Sequence, residues 1–575
     1  MPRCTSLSIA LVGSGGAGVM TAGNMLLEAA AFAGYYAIMT RSSGPQIRGG
    51  EAAAMIRIAR HPIGCMADRF DVLAAVDWEN IQRFGAEIPL DPESLIVGDP
   101  AQGEPHEVFT RSGASLASVP LKKLAKAIPE GRPNMLLLGI VAALIGLPDD
   151  AVAQAVGKSL ARRPAALAPS LAAVAAGRDA ASSCPRRCTL EPPPARTSQR
   201  WLITGNEAAG YGAIRGGVRF VAAYPITPAT ELLEWMSPAL AEVGGTLVQA
   251  EDELASINMA IGSAYGGVPS LTATSGPGLA LMIESLGLAV ASETPVVVVD
   301  VMRVGPSTGI PTKSEQGDLN IALYGLHGDA PHLVLAPNSV ADCLRTTEWA
   351  VQLAEALQVP AIVLSDQFLG QARAVVDRPP DRADGAPGPR RVATANQPGY
   401  LRYALTADGV SPMAIPGTAG VTYTADGLEH GESGTPSSQG SDHLAQLDKR
   451  LRKLERFDYG EDWADVEGDG ELAVLTFGSC TGVVREGLAR ARTDGVRARL
   501  VSLRLLSPAQ PSRLAGALEG VRKVLVIEQN HTGQFLRHLR AEYDLPGKVT
   551  GLHRPGALQF NPGEIHRRLV EWSRG

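Results

Sequence analysis

The sequence Tyr224-Pro225-Ile226-Thr227-Pro228-Ala229-Thr230-Glu231 sets a small hydroxyl between two prolines, directly after the apolar run Val221-Ala222-Ala223. The run reads as a buried strand, the prolines hold its exit extended, and Glu231-Leu232-Leu233 opens a helix. Thr227 is therefore expected at the carboxyl edge of a sheet, where open α/β sheets bind ligands. Further on, Gln249-Ala250-Glu251-Asp252-Glu253 brings consecutive carboxylates to the end of another strand. Arg303 ends the apolar run Val296-Val297-Val298-Val299-Asp300-Val301-Met302 and should emerge at the same edge. A guanidinium there suits a carboxylate, because its parallel N–H donors match the two oxygens. Each residue also has a structural reading: Thr227 as a turn or cap residue, Glu251 as a cap or dipole partner, Arg303 in a salt bridge with Asp300 or Glu315.

The elements that must position these groups alternate in type. Apolar strands at 220–223, 246–249, 270–274, 295–301, 332–336 and 361–364 are separated by helical stretches. That spacing predicts α/β architecture with a parallel, doubly wound sheet. The ordered series runs from Gly205-Asn206-Glu207-Ala208 through the Tyr-Pro-Ile-Thr-Pro loop, Gln249 to Ile257 and Thr272-Ala273-Thr274-Ser275-Gly276-Pro277-Gly278. It continues with Met302-Arg303-Val304-Gly305-Pro306-Ser307-Thr308-Gly309 and Pro311-Thr312-Lys313-Ser314-Glu315-Gln316. This series resembles the alpha subunit of 2-oxoacid:ferredoxin oxidoreductases, and the resemblance covers most of the chain. It implies a pyrimidine-binding domain for thiamine diphosphate, with Glu251 as the carboxylate that bonds the aminopyrimidine ring and drives its tautomerisation. Asp252 and Glu253 are neighbours easily confused with it. The resemblance further implies Thr227 and Arg303 as donors to the carbonyl and carboxylate of a 2-oxoacid. Lys313, Glu315, Gln316 and His327 either line the site or bridge loops, and for a single histidine between glycines the structural reading leads.

At the front, the strand 7–12 enters Gly13-Ser14-Gly15-Gly16-Ala17-Gly18 and a helix begins at Val19. Gly13, Gly15 and Gly18 thus form a turn that holds a phosphate at a helix N-terminus or simply packs the helix closely on its strand. An NAD site would need an acid on the next strand, and Tyr36-Ala37-Ile38-Met39-Thr40-Arg41 has none. With the loop Ser42-Ser43-Gly44-Pro45-Gln46-Ile47-Arg48-Gly49-Gly50-Glu51, residues 7–180 resemble the gamma-subunit domain of the same enzymes. The resemblance puts Arg41 and Arg48 near coenzyme A phosphates. A domain-interface arginine bonding a backbone carbonyl is an equal reading.

With 575 residues, 45% of them hydrophobic, and a formal net charge of −7, the chain has room for about three to four globular domains. The charge argues against nucleic acid or an acidic membrane as the main partner. No signal peptide is expected ahead of the strand-like Leu7-Ser8-Ile9, and the apolar run 135–147 is too short to span a membrane; a soluble, cytoplasmic protein is expected. Cys184 and Cys188 read as two thiols in a Pro/Arg-rich linker, and no set of cysteines fits a cubane cluster. The expected segments are 1–185 (gamma-type), 186–200 (linker), 201–380 (pyrimidine-binding), 381–470 (connecting) and 471–575, which resembles the carboxyl-terminal domain of transketolase-like enzymes. A single helix is expected over 151–176, and a packing helix over 442–457 with Leu444, Leu447, Leu451 and Leu454 inward and basic residues outward. Gly468-Asp469-Gly470 starts like a magnesium-diphosphate motif, but no asparagine follows within about thirty residues; it is read as a turn.

The expectation is a fused gamma–alpha subunit, most like enzymes acting on 2-oxoglutarate, active only with a beta subunit. That partner would carry the thiamine diphosphate–Mg2+ motif and a 4Fe-4S cluster, with coenzyme A as co-substrate, ferredoxin as electron acceptor and a dimer of alpha–beta units as the assembly; this chain itself would bind no metal. Pyruvate or branched-chain 2-oxoacids, or a non-catalytic regulatory protein of the same fold, are the alternatives.

Overall fold

A computed structural model describes residues 3–44, 50–185, 188–195, 198–381 and 387–574. The chain folds into two compact units. One comprises residues 1–204 with 371–378 and 560–565, the other 205–370 with 379–559 and 566–575.

The first unit is built on an eight-stranded sheet in the order Ser115–Ser118, Leu95–Gly98, Val72–Ala75, Ser6–Gly13, Ala52–Ala59, Tyr36–Ser43, Arg373–Asp377, Arg200–Thr204. Neighbours are parallel up to Ser6–Gly13 and antiparallel beyond it. The helices Val19–Phe32 and Pro133–Ile145 bury their apolar side chains in one core with Leu7, Ile9 and Leu11 of the sheet; a helix apolar all round is one that is buried all round. The late strand Arg373–Asp377 is fastened by Tyr36, whose hydroxyl donates to Asp377 Oδ2 at 2.9 Å and whose ring carries the Arg200 guanidinium 3.7 Å from its centroid.

The single helix expected over 151–176 is two, Asp149–Ser159 and Leu167–Ala180. Pro164 lies in the break, where it offers no amide to continue the ladder. Cys188 is not a free thiol: it is bridged to Cys4, where strands Arg3–Cys4 and Thr189–Leu190 pair in parallel, while Cys184 is a buried thiol.

The second unit contains a seven-stranded sheet ordered Thr246–Gln249, Phe220–Ala223, Ser270–Thr274, Val296–Met302, Pro360–Asp366, Leu333–Leu335, Leu505–Ser507. All neighbours are parallel except the last pair. After Phe220–Ala223 the chain crosses to one side, and after Ser270–Thr274 to the other, so the direction of winding reverses between these two strands. A doubly wound sheet opens a ligand crevice at that reversal. A five-stranded sheet follows, in the order Ala464–Glu467, Ala498–Leu503, Leu472–Phe477, Lys523–Glu528, Lys548–His553. Gly468 (φ 74°) and Gly470 (φ 133°) turn the chain into Leu472–Phe477, and Asp469 between them pairs with Arg497.

The helix Gly440–Glu455 keeps only part of its expected inward face: Leu454 is buried and Leu447 partly so. Leu444 and Leu451 are 61% and 45% exposed, whereas Lys449 and Lys453 are 0% and 2% exposed. The cause lies beneath the helix. The buried Glu293 carboxylate receives Lys449 Nζ at 2.6 Å and Lys453 Nζ at 3.1 Å, and an unpaired buried carboxylate costs more than two solvated leucines.

Candidate functional site

The candidates come from the ends of Phe220–Ala223, which flanks the reversal, and of the next strands out on either side, Thr246–Gln249 and Val296–Met302. Thr227 lies in the loop after Phe220–Ala223 and is exposed, with a cis peptide to Pro228. Arg303 leaves the carboxyl end of Val296–Met302 and is only 6% exposed. Its Nη1 donates to the Thr227 carbonyl at 2.7 Å, so the two residues predicted to meet one acid are in contact. Arg303 Nε is buried without a partner. Burial lowers the guanidinium pKa and the nearby Asp318 carboxylate opposes that. The hydrogen bond therefore goes to a carbonyl, not to the Asp300 or Glu315 carboxylate considered from sequence, and donors remain for a ligand.

The neighbouring acids separate cleanly. Asp252 caps the helix Glu253–Tyr265 by accepting the Ala255 amide at 2.7 Å. Glu253 is 7% exposed and packs under the next helix, where a Cβ added to Gly278 would stand 2.8 Å from its Cγ. Glu251 alone is left at the edge, and it is exposed. This chain does not bury Glu251, because Thr246–Gln249 is the outermost strand of its sheet. Exposed apolar Tyr224, Leu254 and Ile310 stand on the loops and helix that carry Thr227, Glu251 and Arg303.

Sequence reasoning missed a pair of acids near Arg303. Asp318, just past the Arg303 loop, faces Asp300, which is 0% exposed and has no donor for either oxygen. Two carboxyls so placed must share a proton. Burial first, then Asp318, drives the Asp300 pKa upward; burial and Glu315 raise that of Asp318 to about 7, against Arg303. A lone carboxylate inside Val-Val-Val-Val-Asp-Val was the available signal. A raised folded pKa adds stability below the ordinary value of 3.8 and loses it as pH rises through about 7. Asp318→Asn, whose amide can donate to Asp300, should thus melt with the native protein in strong acid and a few degrees above it at pH 8. Thermal melts across that range that run parallel would rule this out.

Lys313 is half-buried, Glu315 is buried with its pKa raised by burial, and His327 is exposed. In the first unit, Gly13 leaves 3.0 Å between an added Cβ and Val19 Cγ2, and Gly18 (φ 84°) would drive one into Asn134. Close packing accounts for both. The Ser14 amide donates to Asp77 Oδ1 at 2.9 Å and its hydroxyl to Oδ2 at 2.7 Å, so a carboxylate already takes the first amide of the turn. Gly15 is exposed, Arg41 is exposed, and Arg48 lies outside the described residues. Among the described residues no group of three or more His, Cys, Asp or Glu could hold a metal, and no helix is long and apolar enough to cross a membrane.

This architecture matches known proteins along its whole length. The family model described as pyruvate flavodoxin/ferredoxin oxidoreductase, thiamine diP-binding, matches residues 211–449, and that of pyruvate ferredoxin/flavodoxin oxidoreductase matches residues 8–180. The chain belongs to the 2-oxoacid:ferredoxin oxidoreductases. Within that family it is of the alpha-subunit type: it is 30% identical to the 2-oxoacid:ferredoxin oxidoreductase 2 alpha subunit of Aeropyrum pernix, over 98% of both chains. It is also 37% identical to the 2-oxoglutarate synthase subunit KorA of Methanothermobacter marburgensis, over 64% of this chain and 96% of that one. A solved structure, 2-oxoglutarate:ferredoxin oxidoreductase from Magnetococcus marinus with 2-oxoglutarate, coenzyme A and succinyl-CoA bound, superposes with a TM-score of 0.91 at 35% identity, over 99% of this chain and 100% of that one.

Proposed function

We propose that this chain provides the 2-oxoacid-binding half of a coenzyme A-dependent 2-oxoglutarate:ferredoxin oxidoreductase, whose other half is a beta subunit. The observation that carries the reading is Arg303: a buried guanidinium at the winding reversal, anchored on the Thr227 carbonyl and with Nε unpartnered. Such a cation is built for a small carboxylate. The likeness to the Magnetococcus marinus enzyme, solved with 2-oxoglutarate, coenzyme A and succinyl-CoA bound, favours that acid.

The residues present fit thiamine diphosphate at its ring end. Glu251 offers an exposed carboxylate, and Thr272 Oγ1 and Ser275 Oγ are buried without partners along the strand that borders the crevice. Thiamine diphosphate, when bound, supplies the carbon nucleophile and accepts the electron pair left as CO2 departs. Arg303 holds the substrate carboxylate, the Thr227 hydroxyl donates to its 2-oxo oxygen, and Glu251 holds a proton against a ring nitrogen. The partner supplies the diphosphate–Mg2+ ligands and the 4Fe-4S cluster that passes electrons to ferredoxin, in a dimer of alpha–beta units. Burying Glu251 is its further contribution. Arg41 and Arg48 meet coenzyme A phosphates. The redox poise of ferredoxin sets the direction, so the same site also serves reductive carboxylation.

The test is to copurify the partner and assay coenzyme A-dependent reduction of a viologen dye with several 2-oxoacids. Fastest turnover of 2-oxoglutarate by the complex, with none by the single chain, is the expected result. Fastest turnover of pyruvate or a branched-chain acid would replace the substrate, and activity of the chain alone would overturn the division of labour.

A further inference from the structure

We infer that Gln316 and Gln534, with the turn at Gly556, are positioning residues for Arg303, so that the last five-stranded sheet takes part in binding the 2-oxoacid. This rests on the reading of Arg303 as the clamp for the acid's carboxylate. The loop that follows Arg303 makes its own short contacts, Ile310 N to Val304 O and Val304 N to Lys313 O, both at 3.0 Å. From Ser314 onward it is held from outside. Gln316 is 0% exposed. Its amide donates to the Gln529 carbonyl at 2.8 Å and its Oε1 accepts the Gln529 amide at 2.8 Å. Its Nε2 donates to the Phe477 carbonyl at 2.8 Å, and its own carbonyl accepts Asn530 Nδ2 at 3.2 Å.

Gln534 grips the next residues from both directions. Its Nε2 donates to the Gly317 carbonyl at 2.9 Å, and its Oε1 accepts the Asn320 amide at 2.9 Å. Gly556 lies so close that an added Cβ would stand 2.3 Å from the Ser314 carbonyl oxygen and 2.6 Å from Val304 Cγ2. The gripping residues are themselves fixed. Glu528, 1% exposed, accepts Asn530 Nδ2 at 2.6 Å and the Phe535 amide at 2.6 Å, and Asn530 Oδ1 accepts the Gln534 amide at 3.1 Å.

The consequence passes along the loop. Gln534 grips Gly317 on one side of Asp318 and Asn320 on the other, the Asp318 carboxyl is seated where a Cβ added to Gly276 would stand 2.6 Å from its Oδ1, and Val304, the residue after Arg303, is held by the Lys313 carbonyl and packed by the Gly556 turn. With Val304 and Gly317 held, the loop fixes the backbone from which the Arg303 guanidinium reaches the Thr227 carbonyl and keeps its Nε unpartnered. A backbone loop without this hold would spread the donor over many positions and lower the chance of a forked contact.

The experiment is a mutant cycle in the assembled complex, reading KM for 2-oxoglutarate, KM for coenzyme A and kcat. Gln534→Leu removes both grips and should raise the oxoacid KM about tenfold, with the coenzyme A KM within about twofold. Gln534→Glu keeps the Asn320 bond alone and should fall between. Arg303→Ala should raise the oxoacid KM roughly a hundredfold, and adding Gln534→Leu to it should raise it no further. Amide exchange in the free chain serves as a second readout: Gln534→Leu should speed exchange at 304–320 and leave the strands Val296–Met302 and Lys523–Glu528 protected. An unchanged oxoacid KM in Arg303→Ala would refute the clamp itself, and this inference with it. A strong Arg303→Ala effect with no KM change in Gln534→Leu would refute the inference alone. So would equal rises in both KM values, or additivity with Arg303→Ala, since either means general loosening.

Discussion

Glu251→Gln in the assembled complex should lower kcat by about a hundred- to ten-thousandfold, with the oxoacid KM changed by no more than about threefold. The amide has the shape of the carboxylate but cannot carry the charge or hold the proton that a ring nitrogen exchanges, so the loss falls on the chemical step. The adjacent acids make the internal comparison. Asp252→Asn keeps a good cap for the helix Glu253–Tyr265 and should leave kcat within about twofold. Glu253→Gln disturbs a side chain packed at Gly278, and its cost should be read in the melting curve. Of the three acids, only Glu251 is exposed at the outer strand without a capping duty. Native-like kcat in Glu251→Gln, or a loss of the same size in Asp252→Asn, would reassign the role.

The sheet that holds this site was legible because its cause is local. Runs such as Val296-Val297-Val298-Val299 are apolar at every position, the mark of a parallel strand buried on both faces, and the prolines around Thr227 limit their loop whatever packs against it. Glu251, Thr227 and Arg303 could be placed at one edge for the same reason. What stayed hidden depends on residues distant in sequence. Nothing near Arg373–Asp377 announces that it pairs with Tyr36–Ser43 and Arg200–Thr204, some 170 residues or more away in the chain. Asp318 gives no sign of Asp300, nor Gln534 of Gly317. The Gly13 turn carried a local signal, yet the carboxylate that satisfies its first amide comes from Asp77, on a different strand end. Periodicity misplaced Leu444 and Leu451 of the helix Gly440–Glu455, since a hydrophobic repeat reports burial only when no buried charge competes for the same face.

That competing charge sets the last expectation. Glu293→Ala should destabilise the second unit by about 3–5 kcal/mol, seen as a fall of roughly 10 °C in its melting transition. The carboxylate is fully buried, and Lys449, Lys453 and the Arg402 guanidinium, which donates to the Glu293 carbonyl at 2.8 Å, gather on this residue. Lys449 also reaches Ser411 Oγ at 2.9 Å, and Lys453 the Gln358 carbonyl at 2.8 Å, so one acid ties the irregular 390–455 region to the end of the helix Gly276–Ala291. The three nearby cations hold the Glu293 pKa well below the carboxylate range against the pull of burial. Its contribution is therefore complete above the ordinary value of 4.5 and fades only in acid. Lys449 bears the opposite strain: burial first pulls its pKa down to about 8 despite Glu293. With the acid gone, two ammonium groups would remain buried with only neutral oxygens for company, and they must lose protons or draw in water. Replacing the acid together with both lysines, and leaving Arg402 on its carbonyl partners, tests that cause. Glu293→Gln with Lys449→Met and Lys453→Met removes the stranded charges and should recover most of the lost stability, because a buried ion group exchanged for well-packed neutral side chains is often close to neutral in free energy. If the triple variant melts as low as Glu293→Ala, the loss belongs to packing at this junction and not to charge.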